Sequence, residues 1–136
     1  MNIHRYRLDG SGLTRVLGEL EAKIMETVWD LDRPTGKEIC DALGSGAHYK
    51  TVLTVANRLV EKELLVRETT GSRAFRYHAA ESREVFLHHV AANVANGLVA
   101  DFGVQGLAQL VQAAETLDPA YLDQLEQLVR ERKGGQ

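Results

Sequence analysis

The chain has 136 residues, 44% apolar and 26% charged, with a formal net charge of −3 and one cysteine, Cys40. That length fits one domain, or one small domain with an appendage, and the apolar content is enough for a compact core. A lone cysteine excludes an intrachain disulfide, no N-terminal run resembles a signal peptide, and the apolar stretches fall far short of a membrane span. A soluble cytoplasmic protein without a membrane partner is expected. The net charge conceals a division: residues 1–78 carry 12 Lys and Arg against 11 Asp and Glu, whereas residues 79–136 carry 4 against 8. Within the first part, residues 45–78 hold 6 basic against 3 acidic side chains. A basic middle segment suits contact with phosphates, and an acidic C-terminal segment suits contact with a protein partner.

Residues 1–12, with Arg5, Arg7 and a Gly10-Ser11-Gly12 stretch, read as a flexible N-terminal arm. Leu17, Leu20, Ile24, Val28 and Leu31 then recur at helical spacing, widened by Met25 and Trp29, and predict a first helix over 17–31. Pro34 breaks the chain. Thr35-Gly36-Lys37-Glu38 has the form of a capping box and opens a short helix through Ile39 and Leu43, which Gly44-Ser45-Gly46 ends.

From about His48 a longer helix is predicted. Val52, Val55, Ala56 and Leu59 lie on one stripe, while Lys50, Thr54, Asn57 and Arg58 fall mainly on the other side. The polar side can donate and accept hydrogen bonds at base edges and phosphates, and it is richest in the first turns, where a helix entering the major groove makes its contacts. Leu64 to Arg67 and Ala74 to His78 are two short strands about a Gly-containing turn, Thr69-Thr70-Gly71-Ser72. With Arg67, Arg73 and Arg76 on it, this hairpin can reach the DNA backbone or minor groove beside the helix. Helix, short helix, turn, longer helix and hairpin is the order of a winged helix-turn-helix.

The remainder reads as three helices. Phe86, Val90, Val94 and Leu98 mark the first, over 82–101; Leu107, Leu110, Val111, Ala114 and Leu117 mark the second; Asp118-Pro119 starts the third, with Leu122, Leu125 and Val129. Three short amphipathic helices beyond a hairpin leave apolar surface that one chain cannot cover, so dimerisation is expected, through Phe86, Val90, Leu98, Phe102, Leu110, Leu122, Leu125 and Val129. The fold class is mainly α with a small β element (α+β): a winged helix over 13–80 and a C-terminal helical dimerisation region over 81–136. A dimer places two reading helices about one DNA turn apart, matching an inverted repeat.

The run Leu17-Gly18-Glu19-Leu20-Glu21, then Ile24-Met25, Trp29, Thr35, Glu38-Ile39, Tyr49-Lys50-Thr51-Val52, Thr54, Arg58-Leu59, Gly71, Arg73 and Tyr77 together resembles the penicillinase-repressor family, which includes repressors of β-lactamase, methicillin-resistance and copper-transport operons. The likeness runs from about Leu13 to the end and is most specific before Ser82. It implies a homodimeric DNA-binding repressor that a signal releases from its operator. By position, Lys50, Thr51, Thr54 and Arg58 match the family's recognition helix and Arg73 its wing arginine; Tyr49, Asn57 and Arg76 complete the candidate DNA-binding set. In the antibiotic-responsive members a sensor-activated protease cuts an Asn-Phe bond in the first C-terminal helix. The matching bond here is Asp101-Phe102, with Asp in place of Asn. Copper-responsive members use a C-terminal cysteine cluster that Arg130 to Gln136 lacks, so thiolate copper sensing is not expected.

Cys40, His48, His78, His88 and His89 form no metal motif, since adjacent histidines on a helix point about 100° apart. No metal, cofactor or catalytic residue is assigned. Nucleophile-elbow, phosphate-loop, zinc-helix and dinucleotide patterns are all missing from the sequence, so an enzyme is not expected. Two alternatives remain: a winged helix that binds protein and not DNA, which would favour apolar or acidic groups on the helix face that holds Lys50, Thr51, Thr54, Asn57 and Arg58, and a metal- or redox-sensing variant of the repressor.

Overall fold

The computed structural model describes residues 17–44 and 46–135. The proposed arm at 1–12 lies outside the described residues. Six helices and one hairpin follow in the order α1 (Glu19–Asp30), α2 (Gly36–Leu43), α3 (Tyr49–Glu61), β1 (Leu65–Thr69), β2 (Phe75–Ala79), α4 (Arg83–Phe102), α5 (Val104–Leu117) and α6 (Pro119–Gly134). This is a mainly helical winged helix with a small antiparallel sheet, as the periodicity predicts. The chain divides into two compact units between Val90 and Ala91.

In the first unit the apolar stripes of α1, α2 and α3 converge. Leu17, Ile24, Met25, Val28, Ile39, Val52, Ala56 and Leu59 are buried together with Leu64, Leu65 and Tyr77 from the hairpin side. Leu31, assigned to the α1 stripe by spacing, is exposed, because the helix ends at Asp30 and Leu31 turns away in an extended conformation. The start of α1 is held by half a capping box, with Glu21 Oε1 accepting from Gly18 N–H at 2.9 Å. At α2 the box is complete: Thr35 Oγ1 accepts from Glu38 N–H at 3.2 Å and Glu38 Oε1 from Thr35 N–H at 3.0 Å. Gly36 has no side chain because a Cβ there would run into the Leu53 side chain of α3. The helices therefore cross closely at that point.

After α3, Glu63 adopts a left-handed φ of 64°, and Leu64 N–H bonds back to Leu59 C=O at 3.0 Å. This reversal sends Leu64 and Leu65 into the core and starts the hairpin. Its strands pair in the register Leu65 with Ala79, Arg67 with Tyr77 and Thr69 with Phe75. The first strand reaches two residues further toward the turn than the sequence predicts, to Thr69, whereas the second begins one residue later, at Phe75; Thr70 Oγ1 donates to Ala74 C=O at 2.8 Å and closes the loop between them. Tyr77 N–H also donates to Pro34 C=O at 2.8 Å, and Thr35 bridges Arg76, so the link before α2 adds a short third rung to the sheet.

Phe86, assigned to the dimer contact from its spacing, belongs instead to this core. It is 2% exposed, and its ring stands 5.5 Å from that of Trp29, tilted by 55°. Trp29 Nε1 donates to Glu81 C=O at 3.0 Å, and Arg83 makes a forked bond to Glu26, so α1 holds the start of α4 by ring packing, a hydrogen bond and an ion pair. Val90 packs against the same core and is half-buried.

In the second unit Gly103, at φ 55°, turns the chain immediately after Phe102. Helix α5 thus begins at Val104, earlier than the predicted Leu107, and Gly106 falls inside it at a point where a Cβ would meet Leu98 C=O at 2.7 Å. Asp118 caps α6 by accepting from Ala120 N–H at 3.0 Å, with Pro119 in the first turn, as predicted. Among the described residues of this unit only Gly106 is buried. Leu107, Leu110, Val111, Leu122, Leu125 and Val129 of α5 and α6 line an open apolar groove of about 470 Å³. No helix among the described residues is long and apolar enough to cross a membrane.

The position of Phe86 gives a direct test. Phe86→Ala should lower the unfolding free energy by about 3–5 kcal/mol in urea titration at fixed protein concentration, because it empties a site in the protomer's own core. A loss below about 1 kcal/mol would return Phe86 to a surface role.

Candidate nucleic-acid interface

Helix α3 buries Val52, Val55, Ala56 and Leu59 and turns Lys50, Thr51, Thr54 and Arg58 outward, all exposed. Tyr49 is also exposed, at the first residue of the helix. Thr54 Oγ1 donates its proton to Lys50 C=O at 2.9 Å, one turn back, so toward solvent the hydroxyl presents lone pairs and a methyl group. In this rotamer it suits an amino donor on a base edge or a thymine methyl. Thr51 makes no such bond to the helix and can donate or accept.

The hairpin stands beside this helix. Asn57, half-buried on α3, accepts at Oδ1 from Tyr77 OH at 3.0 Å and from Arg67 Nη1 at 3.1 Å. Burial raises the Tyr77 hydroxyl above its ordinary pKa, with Arg67 opposing this rise, so the phenol keeps the proton it donates. Arg67 lies over the Phe75 ring, 4.4 Å from its centroid. Between α2, α3 and the hairpin runs a cleft of about 440 Å³ bordered by Lys37, Tyr49, Asn57 and Arg73. Among the described residues, Lys50 and Arg73 take part in no ion pair, so both cations are available for phosphates.

Arg76 differs from the sequence expectation. Its Nη1 donates to Arg33 C=O at 2.8 Å and to Glu38 Oε1 at 3.2 Å, on the side of the hairpin that pairs with the Thr35 link. It ties the wing to the start of α2, a role that spacing alone could not reveal because the partners are 43 and 38 residues away. On the same side Arg33 bonds Glu68 and holds its carboxyl below the usual range, and His78 Nδ1 lies 3.0 Å from Glu68. Arg33, Arg76 and Glu38 are exposed and Glu68 and His78 only half-buried, so each pair is worth little in stability.

The remaining candidates fall elsewhere. Cys40 is half-buried and its Sγ donates to Ala47 C=O at 3.5 Å, within the turn between α2 and α3. His89 Nδ1 lies 2.8 Å from Glu81 Oε2, near enough for an ion pair when protonated although the angle is not that of a hydrogen bond. Among the described residues no three His, Cys, Asp or Glu side chains gather as a metal site. In the second unit Leu98, Leu122 and Leu125 are half-buried, whereas Leu110, Val129 and Phe102 are exposed, Phe102 by 62%. Asp101 is exposed too, so the Asp101-Phe102 bond lies open at the end of α4.

Arg58 also acts inward. Burial pushes the Glu21 carboxyl up, but hydrogen bonds from Lys62 Nζ at 2.7 Å and from Gly18 N–H, with the charges of Lys62 and Arg58, outweigh this and hold it below its ordinary value. A carboxyl with a depressed folded pKa adds stability that is present above the ordinary value of about 4.5 and is lost as pH falls through the folded one. Wild type should therefore exceed Glu21→Gln in urea midpoint at neutral pH, and the gap should close as pH drops below that value. A gap that stays constant or widens on acidification would contradict the assignment.

Comparison with individually curated proteins gave no match. A family model described as penicillinase repressor matches residues 17–131, which is most of the chain and includes α1 to α3, the hairpin and nearly all of the C-terminal helices. The chain thus belongs to the penicillinase repressor family of DNA-binding transcriptional repressors.

Proposed function

We propose that this protein represses transcription as a homodimer bound to an inverted-repeat operator, with α3 in the major groove and the hairpin on the flanking backbone. The outer face of α3 carries the proposal. Lys50, Thr51, Thr54 and Arg58 offer hydrogen-bonding groups and positive charge where a protein-binding winged helix would offer apolar or acidic ones, and Arg73 extends that face from the hairpin. Tyr49 opens the same surface. Residues 13–80 form the DNA-binding part and residues 81–136 the dimerisation part, while Arg5 and Arg7 of the 1–12 arm add phosphate or minor-groove contact.

The dimer contact lies on the second unit. Leu98, Phe102, Leu110, Leu122, Leu125 and Val129 supply the apolar surface, which is too large to face water in a soluble monomer. Release follows from loss of that contact. A sensor-activated protease that cuts at Asp101-Phe102 would detach α5 and α6 from the DNA-binding part, and a half-site holds too few phosphates to remain bound at cellular salt.

Two outcomes follow for an operator selected from a random duplex library by the full-length protein. Thr51→Ala or Thr54→Ala should reduce discrimination between operator and random duplex by about 1–3 kcal/mol, whereas Arg73→Ala should weaken both and lower the slope of log K against log salt by about one phosphate contact. Equal losses on both duplexes for the threonine variants would mean they do not read bases. Leu110→Glu should give a monomer in sedimentation and reduce operator affinity by orders of magnitude in gel-shift titration, with no DNA-facing residue changed. A variant that remains dimeric and binds as wild type would remove α5 from the interface.

A further inference from the structure

Beside the shared apolar core, side-chain hydrogen bonds join the hairpin to α3, and they converge on one atom. Asn57 Oδ1 accepts from Tyr77 OH and from Arg67 Nη1, so both of its carbonyl lone pairs are occupied. An asparagine that reads adenine bidentately must offer that oxygen to the base amino group while its nitrogen donates to N7. Asn57 cannot do so while the joint is made. Its half-buried position, behind the exposed Thr54 and Arg58, agrees with a structural use.

Arg67 is the other half. It belongs to β1, its guanidinium lies over Phe75 of β2, and one of its N–H groups reaches Asn57 of α3. One planar cation therefore touches both strands and the helix. Its fork and flat face serve two partners at once, which a lysine does less completely. Arg73 stands two residues before Phe75, in the turn that Thr70 Oγ1 closes onto Ala74 C=O. Whatever fixes Phe75 against α3 also fixes the distance from Arg73 to the base-reading face.

We propose that Arg67 is a positioning residue for DNA binding: by clamping Phe75 and Asn57 together it holds the wing so that Arg73 meets the phosphate backbone while α3 is in the groove. Asn57 is the acceptor of this clamp and not a base reader. The proposal rests on the DNA-binding reading above and adds a division of labour among its arginines, in which Arg73 contacts, Arg67 positions and Arg76 ties the wing to α2.

A double-mutant cycle on the full-length protein with a random-sequence duplex separates contact from positioning. Arg67→Met should lower the slope of log K against log salt by about one phosphate contact, as Arg73→Ala does. The double variant should bind within about twofold of Arg73→Ala alone, because the misplaced contact is already gone. Arg67→Lys, which keeps a cation over Phe75 and a donor for Asn57, should recover most of the slope. Losses that multiply in the double variant would make Arg67 a direct DNA contact, and an unchanged slope in Arg67→Met would mean that the clamp does not govern the wing; either result overturns the proposal. If Arg67→Met melts below the assay temperature, Arg67→Gln gives the same reading with a neutral, shorter donor. Wild type without affinity for any duplex would instead overturn the DNA-binding reading itself.

Discussion

Tyr77 is the point on which the winged-helix unit depends. Its side chain is 1% exposed, its backbone N–H bonds Pro34 C=O, and its hydroxyl bonds Asn57. One residue thus fixes the hairpin to the core, to the link before α2 and to α3. A two-stranded hairpin is marginal by itself in water, so its shape must come from what it packs on. The buried ring anchors it, and the buried hydroxyl, needing a partner, selects the one register that places Asn57 opposite. Everything exposed on the hairpin, Arg73 included, takes its position from that anchor.

Much of this was legible in the sequence where structure is local. The three- and four-residue spacing on α3 put Val52, Val55, Ala56 and Leu59 inside and Lys50, Thr54 and Arg58 outside, missing only that Asn57 is half-buried, and the Thr35 and Glu38 capping box and the Asp118-Pro119 start form as written. These features depend on residues within one or two turns of one another. The misreadings have a common cause in long-range contact. Phe86 shares its spacing with the apolar residues after it, and only Trp29, far away on α1, decides that it faces the protomer's own core. Arg76 and Arg73 look alike as exposed hairpin arginines, yet the first meets Glu38 and the second meets no acid among the described residues. The apolar spacing placed the start of the next helix at Leu107, whereas α5 begins at Val104 and takes in Gly106, where the close approach of Leu98 makes glycine the residue that fits.

Charge shapes the orientation of the parts more than their stability. Exposed pairs such as Arg33 with Glu68 and Arg76 with Glu38 contribute little in water, while the apolar core of Ile24, Met25, Ile39, Val52, Leu59 and Leu65 supplies the driving force. Glu21 and Lys62 are the exception, since Glu21 is nearly buried and loses more if its partner is removed. Acidic groups near the proposed DNA face are consumed in these contacts: Glu38 by its cap and Arg76, Glu68 by Arg33 and His78. Lys50 and Arg73 are left to set the sign of the surface, which is how a chain of net charge −3 can present a phosphate-seeking face.

The two units differ in the way they use apolar side chains, and that difference bears on regulation. The first buries its own, from Leu17 to Phe86, and has a core that one chain completes. The second leaves Leu107, Leu110, Val111, Leu128 and Val129 exposed and buries no side chain of its own among the described residues. In the proposed dimer a second copy of the chain covers this surface and stabilises this unit, while the first unit, with its own core, does not require it. A repressor arranged in this way can lose its association without unfolding its DNA-reading helix. On the proposed function, operator occupancy depends on whether the α5–α6 surface is covered, and a signal has only to act there, remote in sequence from every residue proposed to touch a base.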